Sequence, residues 1–170
     1  MTIHDEHPFM PDPEDRDPVR RFRGRLAMPV TIVTSGPPGS RAGLTVSSVL
    51  VMEGDPGEVL LLINPNTDLW DAVADTGRLV VHVCSSEHRR LAEVFAGREP
   101  RPGGMFAGLA VTDGEWGPVL DGLSNRIHAT VTATDPAGWS GMVRGRVDRV
   151  EVGGMEDPLL YFRGRYRTLG

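Results

Sequence analysis

The sequence predicts a mainly β protein with a few helices, folded as a closed and mostly antiparallel barrel. Short stretches rich in β-branched residues recur along the chain, and residues 127–134 alternate apolar with polar side chains, as a half-buried strand does. The 21 Gly and 14 Pro residues lie mainly between these stretches, where turns are expected. Many short strands separated by turns favour a barrel over a doubly wound parallel sheet.

The first elements follow from local patterns. Asp17, which is followed by proline, is expected to cap a short helix that ends near Ala27. A strand is expected at residues 29–35 and a second one at residues 41–53, with a turn rich in Gly and Pro after each. The unbroken apolar run at residues 59–63 predicts a strand that is buried on both faces.

The later elements follow in the same way. Asn66 or Thr67 is expected to cap a helix that stops at Gly77. Residues 86–96 carry apolar side chains at helical spacing and predict another helix. Further strands are expected at residues 79–84, 127–134, 142–152 and 159–166, which brings the prediction to about seven strands and three helices.

The chain is expected to divide into an N-terminal tail and one domain. Residues 1–18 hold six acidic residues and four prolines against a single arginine, so we expect a mostly disordered tail. Residues 19–170 are expected to form one barrel domain, because a chain of 170 residues suits a single full core.

The composition excludes several kinds of function. The chain has 18 basic residues, all of them arginine, and 23 acidic residues. The resulting net charge of −5 argues against a nucleic-acid binder. Since the chain has no lysine, a P-loop lysine, a pyridoxal Schiff base and a lysine general base are excluded. Cys84 is the only cysteine, and no histidines stand at metal-ligand spacing, so we expect neither a disulfide nor a metal site.

Several sequence signals are absent. The apolar runs are far shorter than the roughly 20 residues that span a bilayer, and the N-terminus has no secretory pattern. We therefore expect a cytoplasmic protein that has no membrane partner. The glycine fingerprint of a Rossmann nucleotide site and the nucleophile elbow of a hydrolase are also missing.

Three segments are candidates for ligand binding. Residues 42–48 combine small side chains with hydroxyls that suit a phosphate or the polar edge of a heterocycle, although they also suit a plain strand. Residues 64–68 precede a helix, whose free amides suit a phosphate; Asp68 there would repel one, and plain capping explains the segment equally well. Residues 161–166 place two tyrosines around two arginines, which suits a flat or anionic ligand or a solvent-facing edge strand.

In their order along the chain, seven motifs resemble the flavin reductase family with the FMN-binding split-barrel fold. The resemblance covers about residues 19–168. The motifs are PVTIVT (29–34), AGLTVSS (42–48), INPNT (63–67), FAG (95–97), MFAG (105–108), GRV (145–147) and LLYFRGRY (159–166). The fold that this resemblance implies is an antiparallel split β-barrel of the Greek-key type.

The resemblance implies a homodimer with FMN or FAD in a groove at or near the subunit interface. Residues 45–48 would line the ring system and the phosphate, residues 64–67 would meet the ribityl phosphate, and residues 30–31 would run beside the ring. The flavin-binding residues implied in this way are Val30, Thr31, Leu44, Thr45, Val46, Ser47, Ser48, Ile63, Asn64, Asn66, Thr67, Phe106, Arg163 and Tyr166. Because lysine is missing, Arg98 or Arg101 is expected to supply positive charge to the phosphate.

The chain departs from the family pattern at three places. Met105 stands where many members have a basic residue before the phenylalanine, residues 138–140 read Gly-Trp-Ser where Gly-Asp-His is common, and Phe162 replaces a frequent histidine. In some members those histidines lie near the nicotinamide.

The implied function is an NAD(P)H:flavin oxidoreductase that reduces FMN or FAD by hydride transfer to flavin N5, with NADH or NADPH as donor. It would supply reduced flavin to a separate monooxygenase. No catalytic side chain is named, because the cofactors carry the chemistry and the protein aligns them. The alternatives are a flavin-binding electron carrier without NAD(P)H turnover, or a split-barrel protein that binds heme or a deazaflavin.

Overall fold

The computed structural model describes residues 17–170, which form three α-helices, one 3-10 turn at Ser86–His88 and twelve strands. The helices are α1 (Pro18–Arg23), α2 (Asp68–Thr76) and α3 (Arg89–Phe95). The strands are β1 (Met28–Pro29), β2 (Thr31–Ser35), β3 (Ala42–Val46), β4 (Val49–Met52), β5 (Glu58–Ile63), β6 (Arg78–Val83), β7 (Val111–Gly114), β8 (Gly117–Leu120), β9 (Arg126–Ala137), β10 (Ser140–Glu151), β11 (Leu160–Phe162) and β12 (Arg165–Arg167).

Seven strands make one curled sheet in the order β3-β2-β6-β9-β10-β5-β4, and every pairing in it is antiparallel. The two outermost strands, β3 and β4, are consecutive in the chain and are joined by Ser47 and Ser48 alone. Because adjacent Cα atoms are about 3.8 Å apart, this link brings the ends of both outer strands within about 11 Å of each other. The predicted antiparallel split barrel is confirmed. Its two outer strands are joined by the chain itself and not by a ladder of hydrogen bonds.

Two small sheets complete the fold: β1, β11 and β12 form one, and β7 and β8 form a hairpin. The backbone of Val30 attaches the first of these to the barrel, because its N–H donates to the Leu159 carbonyl at 3.1 Å and its carbonyl accepts from Cys84 N–H at 3.0 Å. The C-terminal strands are thereby held against the end of β6.

The hydrophobic core has two parts. The first fills the inside of the curled sheet beneath α2, and the second lies between the barrel, α3 and the C-terminal strands. The first contains Val33, Val46, Val59, Leu61, Ile63, Leu69, Val73, Leu79, Val81, Ala129 and Val143. The second contains Val30, Ile32, Cys84, Ala92, Val94, Phe95, Leu120, Leu123, Leu159 and Tyr166.

His82 is a fully buried polar residue between these strands. Its Nδ1 lies 3.0 Å from the Ile32 carbonyl, and its Nε2 accepts from the Leu120 N–H at 3.1 Å. Since Nε2 accepts, the ring is neutral and Nδ1 carries the proton that it donates to Ile32. Burial is the main cause that lowers the pKa of His82 to about 4, and the ring therefore ties β2, β6 and β8 together as an uncharged group.

Several expected elements differ in the structure. The strand expected at residues 41–53 is two strands, because the chain turns at Ser47 and Ser48. Residues 59–63 are not buried on both faces: Leu62 is 41% exposed, since helices cover only the inner face of the sheet there. The strand expected at residues 159–166 is a hairpin whose turn residues, Arg163 and Gly164, have φ of 50° and 75°.

Other differences concern the chain's helices and one missed hairpin. Helix α1 ends at Arg23 instead of Ala27, and its apolar residues Val19 and Phe22 are 73% and 69% exposed. The helix expected at residues 86–96 begins as a 3-10 turn. The hairpin of β7 and β8 was not predicted. Most of the expected N-terminal tail, residues 1–16, lies outside the described residues.

Within residues 17–170, no helix combines the length and the apolar character that crossing a bilayer requires.

The thiol of Cys84 is expected to be unreactive in the native protein. Burial raises its pKa to about 12, so the nucleophilic thiolate is not formed near neutral pH and reagents have no access to the sulfur. A chromogenic disulfide reagent should therefore release almost no colour from the native protein and one equivalent per chain in denaturant. Rapid reaction of the native protein would contradict this packing.

Candidate functional site

A cleft of about 640 Å³ opens beside strand β3. Four segments line it: residues 39–44 at the start of β3, residues 66–69 at the start of α2, residues 95–97 at the end of α3, and residues 103–106 in the following loop. Its volume lies within the range of about 300 to 1,000 Å³ that is usual for small-molecule sites.

Strand β3 forms one wall of the cleft with an open backbone edge. Within the described residues 17–170 it pairs with β2 on one side and with no strand on the other, which leaves backbone N–H and C=O groups along that edge outside any ladder. The Thr45 hydroxyl donates to the Ala92 carbonyl at 2.6 Å and fixes α3 beside the strand. Gly43 allows this close approach, because an ideal Cβ on it would lie 2.5 Å from the Phe95 ring.

Part of the cleft wall is apolar. It includes the half-buried Leu44, Met105 and Phe106 and the almost fully buried Leu69 and Phe95. The rings of Phe95 and Phe106 meet edge to face with their centroids 5.1 Å apart, which stabilises the loop that carries Phe106. A flat aromatic ligand could pack against this wall while its polar rim reaches the edge of β3.

The start of α2 supplies polar groups to the cleft. The Thr67 hydroxyl caps the helix by accepting from Trp70 N–H at 3.3 Å, and it donates to the Asn64 carbonyl at 2.7 Å. The Asn64 side chain accepts from the Asn66 N–H at 2.9 Å. The predicted capping by Thr67 is therefore confirmed, as is the helix stop at Gly77, whose φ is 65°.

Arg41 and Asp68 are the charged side chains that line the cleft. Arg41 is held by Asp113, with Nε and Nη2 donating to the two carboxylate oxygens at 2.8 and 2.6 Å. This pairing raises the pKa of Arg41 and lowers the pKa of Asp113. By contrast, no hydrogen bond or ion pair from residues 17–170 engages the exposed Asp68 carboxylate.

Of the residues expected to bind flavin, the structure brings four together around the cleft: Leu44, Asn66, Thr67 and Phe106. Asn64 supports this set through its side-chain contact with Asn66. The other expected residues do not line the cleft.

Three of the remaining residues, Val30, Val46 and Ile63, are core side chains with at most 4% of their surface exposed. Thr31 is also buried, and its hydroxyl donates to the Val46 carbonyl at 2.6 Å. Three more expected residues are half-buried and do not line the cleft: Thr45, Ser47 and Ser48. The Thr45 hydroxyl is used in its hydrogen bond to the Ala92 carbonyl.

The C-terminal residues form a separate aromatic and basic cluster outside the cleft. The Tyr161 and Tyr166 rings are 5.5 Å apart, and Arg98 donates to the Tyr161 hydroxyl at 3.0 Å. Arg163 is exposed on the hairpin turn, with its guanidinium carbon 5.6 Å from the centre of the Phe162 ring. Neither Arg98 nor Arg101 lines the cleft.

The sequence analysis did not select several residues that line the cleft as binding residues. Arg41, Leu69, Phe95 and Met105 were missed, and Asp68 was considered only as an obstacle to phosphate. Phe95 could have been selected because it belongs to the FAG motif at residues 95–97. Its helical spacing with neighbouring apolar residues instead favoured a role in the core. Nothing in the local sequence indicates that Arg41 meets a carboxylate 72 residues further along the chain.

Two further observations concern Trp139 and the metal-ligating residue types in the described chain. Trp139 is 99% exposed at the tip of the hairpin formed by β9 and β10 and does not line the cleft of its own chain. Among residues 17–170, no group of His, Cys, Asp and Glu side chains is arranged to hold a metal ion.

A curled antiparallel sheet with a partly apolar cleft beside its edge strand β3 defines a split-barrel protein. Comparison with known proteins identifies its family. An FMN reductase (NADH) RutF of Ancylobacter novellus is 30% identical, with 91% of this chain and 85% of the relative aligned. The 4-hydroxyphenylacetate 3-monooxygenase reductase component of Pseudomonas aeruginosa is 28% identical, with 88% and 89% aligned.

A solved structure and a family model complete the comparison. The structure of a homologue of nitrilotriacetate monooxygenase component B from Mycobacterium thermoresistibile has a TM-score of 0.79 and 29% identity, covering 89% of this chain and 85% of its own. Residues 23–170 match the family model for the flavin reductase like domain. The chain therefore belongs to the flavin reductase-like domain family, and it is an oxidoreductase of the flavin reductase class.

Proposed function

We propose that the cleft beside β3 is the flavin site, and that the protein reduces FMN or FAD with NADH or NADPH and releases the reduced flavin to a separate oxygenase. The observation that carries this proposal is the pairing of an apolar wall with an open backbone edge in a chain of this family.

The residues of the cleft fit a flavin. The half-buried Phe106 and Leu44 side chains offer an apolar surface for the isoalloxazine ring, and the buried Phe95 ring supports Phe106 edge to face. The free N–H and C=O groups of β3 match the alternating acceptors and donors on the pyrimidine rim of that ring. Asn66 and Thr67 suit the hydroxylated and phosphorylated chain.

A bound flavin supplies the redox chemistry, because its N5 accepts a hydride from C4 of a reduced nicotinamide. Phe106 and Leu44 would hold the ring and would keep bulk water from that face. Backbone N–H groups on the β3 edge would stabilise negative charge on the pyrimidine rim of a bound flavin. Among residues 17–170, the cleft is lined by no His, Cys or Tyr side chain, and its residues would act on the flavin mainly by alignment.

Delivery to an oxygenase is supported by the relatives, one of which is named an FMN reductase (NADH) and two of which are named as monooxygenase components. Use of NADH as donor is part of the same proposal. A cytoplasmic location also belongs to it, because nicotinamide donors are kept reduced there.

A homodimer is part of the proposal and is supported by an apolar strip on the outer face of the barrel. Leu50 on β4 faces Leu60 on β5, and Leu62 on β5 faces Met142 on β10. Leu50 is 65% exposed and Leu62 is 41% exposed, although both are large apolar side chains. A contiguous apolar strip of this kind is typical of a surface that a second copy covers.

Anaerobic mixing of the protein with each flavin and each nicotinamide tests the function. Loss of the oxidised-flavin absorbance at a rate that depends on protein concentration would support a reductase. A tightly bound flavin without nicotinamide turnover would indicate an electron carrier, and a Soret band would indicate heme. Absence of both flavin binding and nicotinamide oxidation would refute the proposal.

The variant Leu44→Trp tests where flavin binds. The larger ring would occupy part of the cleft, so we expect the flavin Kd to rise about tenfold or more while the barrel remains folded. Fluorescence titration with FMN measures the change. The control is Val150→Trp, which adds the same ring to an exposed position on β10 outside the cleft. Unchanged affinity in Leu44→Trp would place the site elsewhere.

A further inference from the structure

Asp68 has an unusual place for an acidic residue in a site that binds phosphorylated ligands. It lies in the first turn of α2 beside Asn66 and Thr67, and it lines the cleft. Its carboxylate is exposed and receives no hydrogen bond or ion pair from the part of the chain described here. The negative charge of Asp68 is therefore not offset by a neighbouring side chain.

The other charge that lines the cleft does not balance it. Arg41 donates through Nε and Nη2 to Asp113, and this bidentate pair is already close to neutral. Among residues 17–170, the side chains that line the cleft therefore carry a net negative charge. A sphere with the volume of the cleft is about 11 Å across, which is close to the Debye length of about 8–10 Å, so a phosphate in the cleft would feel the Asp68 charge.

We propose that Asp68 lowers the affinity of the cleft for phosphorylated flavins and thereby makes flavin an exchangeable substrate instead of a resident cofactor. This inference rests on the proposed function. The repulsion acts on the phosphate of FMN and the diphosphate of FAD, whereas riboflavin has the same ring without the charge. A reductase that must release reduced flavin gains from such a charge, because faster dissociation accompanies weaker binding.

Asp68 also affects the helix amides that could bind a phosphate. A carboxylate in the first turn interacts favourably with the partial positive charge of the helix start, so it competes there with any other anion. Replacing it with asparagine removes the competing charge and keeps the size of the side chain. Because Thr67 and not Asp68 provides the cap of α2, the helix should remain intact in this variant.

The test compares Asp68→Asn with Asp71→Asn. Asp71 is one turn along the same helix, is also exposed and acidic, and does not line the cleft. Dissociation constants for riboflavin, FMN and FAD are measured by fluorescence titration at low and high salt. We expect Asp68→Asn to bind FMN about five- to tenfold more tightly at low salt, with a smaller gain at high salt and no change for riboflavin. Asp71→Asn should change FMN affinity by less than about twofold.

Each outcome decides one question. FMN binding by Asp68→Asn that is unchanged or weaker would overturn the inference while leaving the flavin site in place. An equal gain for riboflavin and FMN would also overturn it, because the effect would then not depend on phosphate charge. If the unsubstituted protein bound none of the three flavins, the proposed function would fail together with the inference.

Discussion

Replacement of His82 by leucine is expected to lower the free energy of unfolding by about 3–5 kcal/mol. The imidazole donates to the Ile32 carbonyl and accepts from the Leu120 N–H, and both contacts are buried. A leucine of similar size would fill the space but leave one acceptor and one donor without partners. Urea unfolding at pH 7 measures the loss.

The same residue predicts acid sensitivity. The folded-state pKa of His82 is about 4, against 6.5 for an unfolded chain, so between these values the unfolded chain binds the proton and the folded one does not. The contribution of His82 to the free energy of unfolding is fully present above about pH 6.5. It decreases by about 3 kcal/mol as the pH falls from 6.5 to about 4. His128 acts in the same direction, because burial also lowers its pKa.

His82→Leu should therefore show a flatter loss of stability between pH 6.5 and 4 than the unsubstituted protein. The control is His88→Leu, which alters a half-buried residue that accepts from Ser85 N–H at 3.1 Å in a surface turn. We expect that change to cost about 1 kcal/mol. Equal costs for the two variants, or an unaltered acid profile in His82→Leu, would contradict the role assigned to His82.

Replacement of Gly43 by alanine is the second large effect that the structure predicts. The new methyl group would lie 2.5 Å from one ring carbon of Phe95 and 2.7 Å from another. Phe95 is 1% exposed, so its ring has little space to move into. We expect a loss of about 2–3 kcal/mol, which is typical of an overpacked core, and a weaker flavin affinity because Phe95 also lines the cleft.

The matched change is Gly122→Ala, where no atom lies within 4 Å of the ideal Cβ and the glycine has no positive φ. Its stability should stay within about 0.5 kcal/mol of the unsubstituted protein. Thermal unfolding of both variants makes the comparison. If Gly43→Ala were as stable as Gly122→Ala, the close packing of α3 against β3 would be wrong.

Local patterns predicted the antiparallel barrel and the limits of helix α2. Thr67 caps that helix and Gly77 ends it, as expected, because both functions depend on residues within one turn of the helix end. The alternation at residues 127–134 likewise marked a real strand, β9, although burial does not alternate along it, because His128 and Ala129 are both buried and residues 132–134 are all exposed.

The remaining features depend on contacts between distant parts of the chain. Leu62 was expected to be buried because its run is wholly apolar, but only the inner face of β5 is covered. The break at Ser47 and Ser48 was missed because it arises from the curl of the whole sheet. The cleft combines residues as far apart as Gly39 and Phe106, and no local pattern shows that these segments meet.

The two-residue link between the outer strands has a mechanical consequence. Since Ser47 and Ser48 form a covalent seam, the barrel cannot enlarge its circumference by sliding one outer strand past the other. Strand β3 is thus tied to the barrel twice, by its hydrogen bonds to β2 and by the chain that leads into β4.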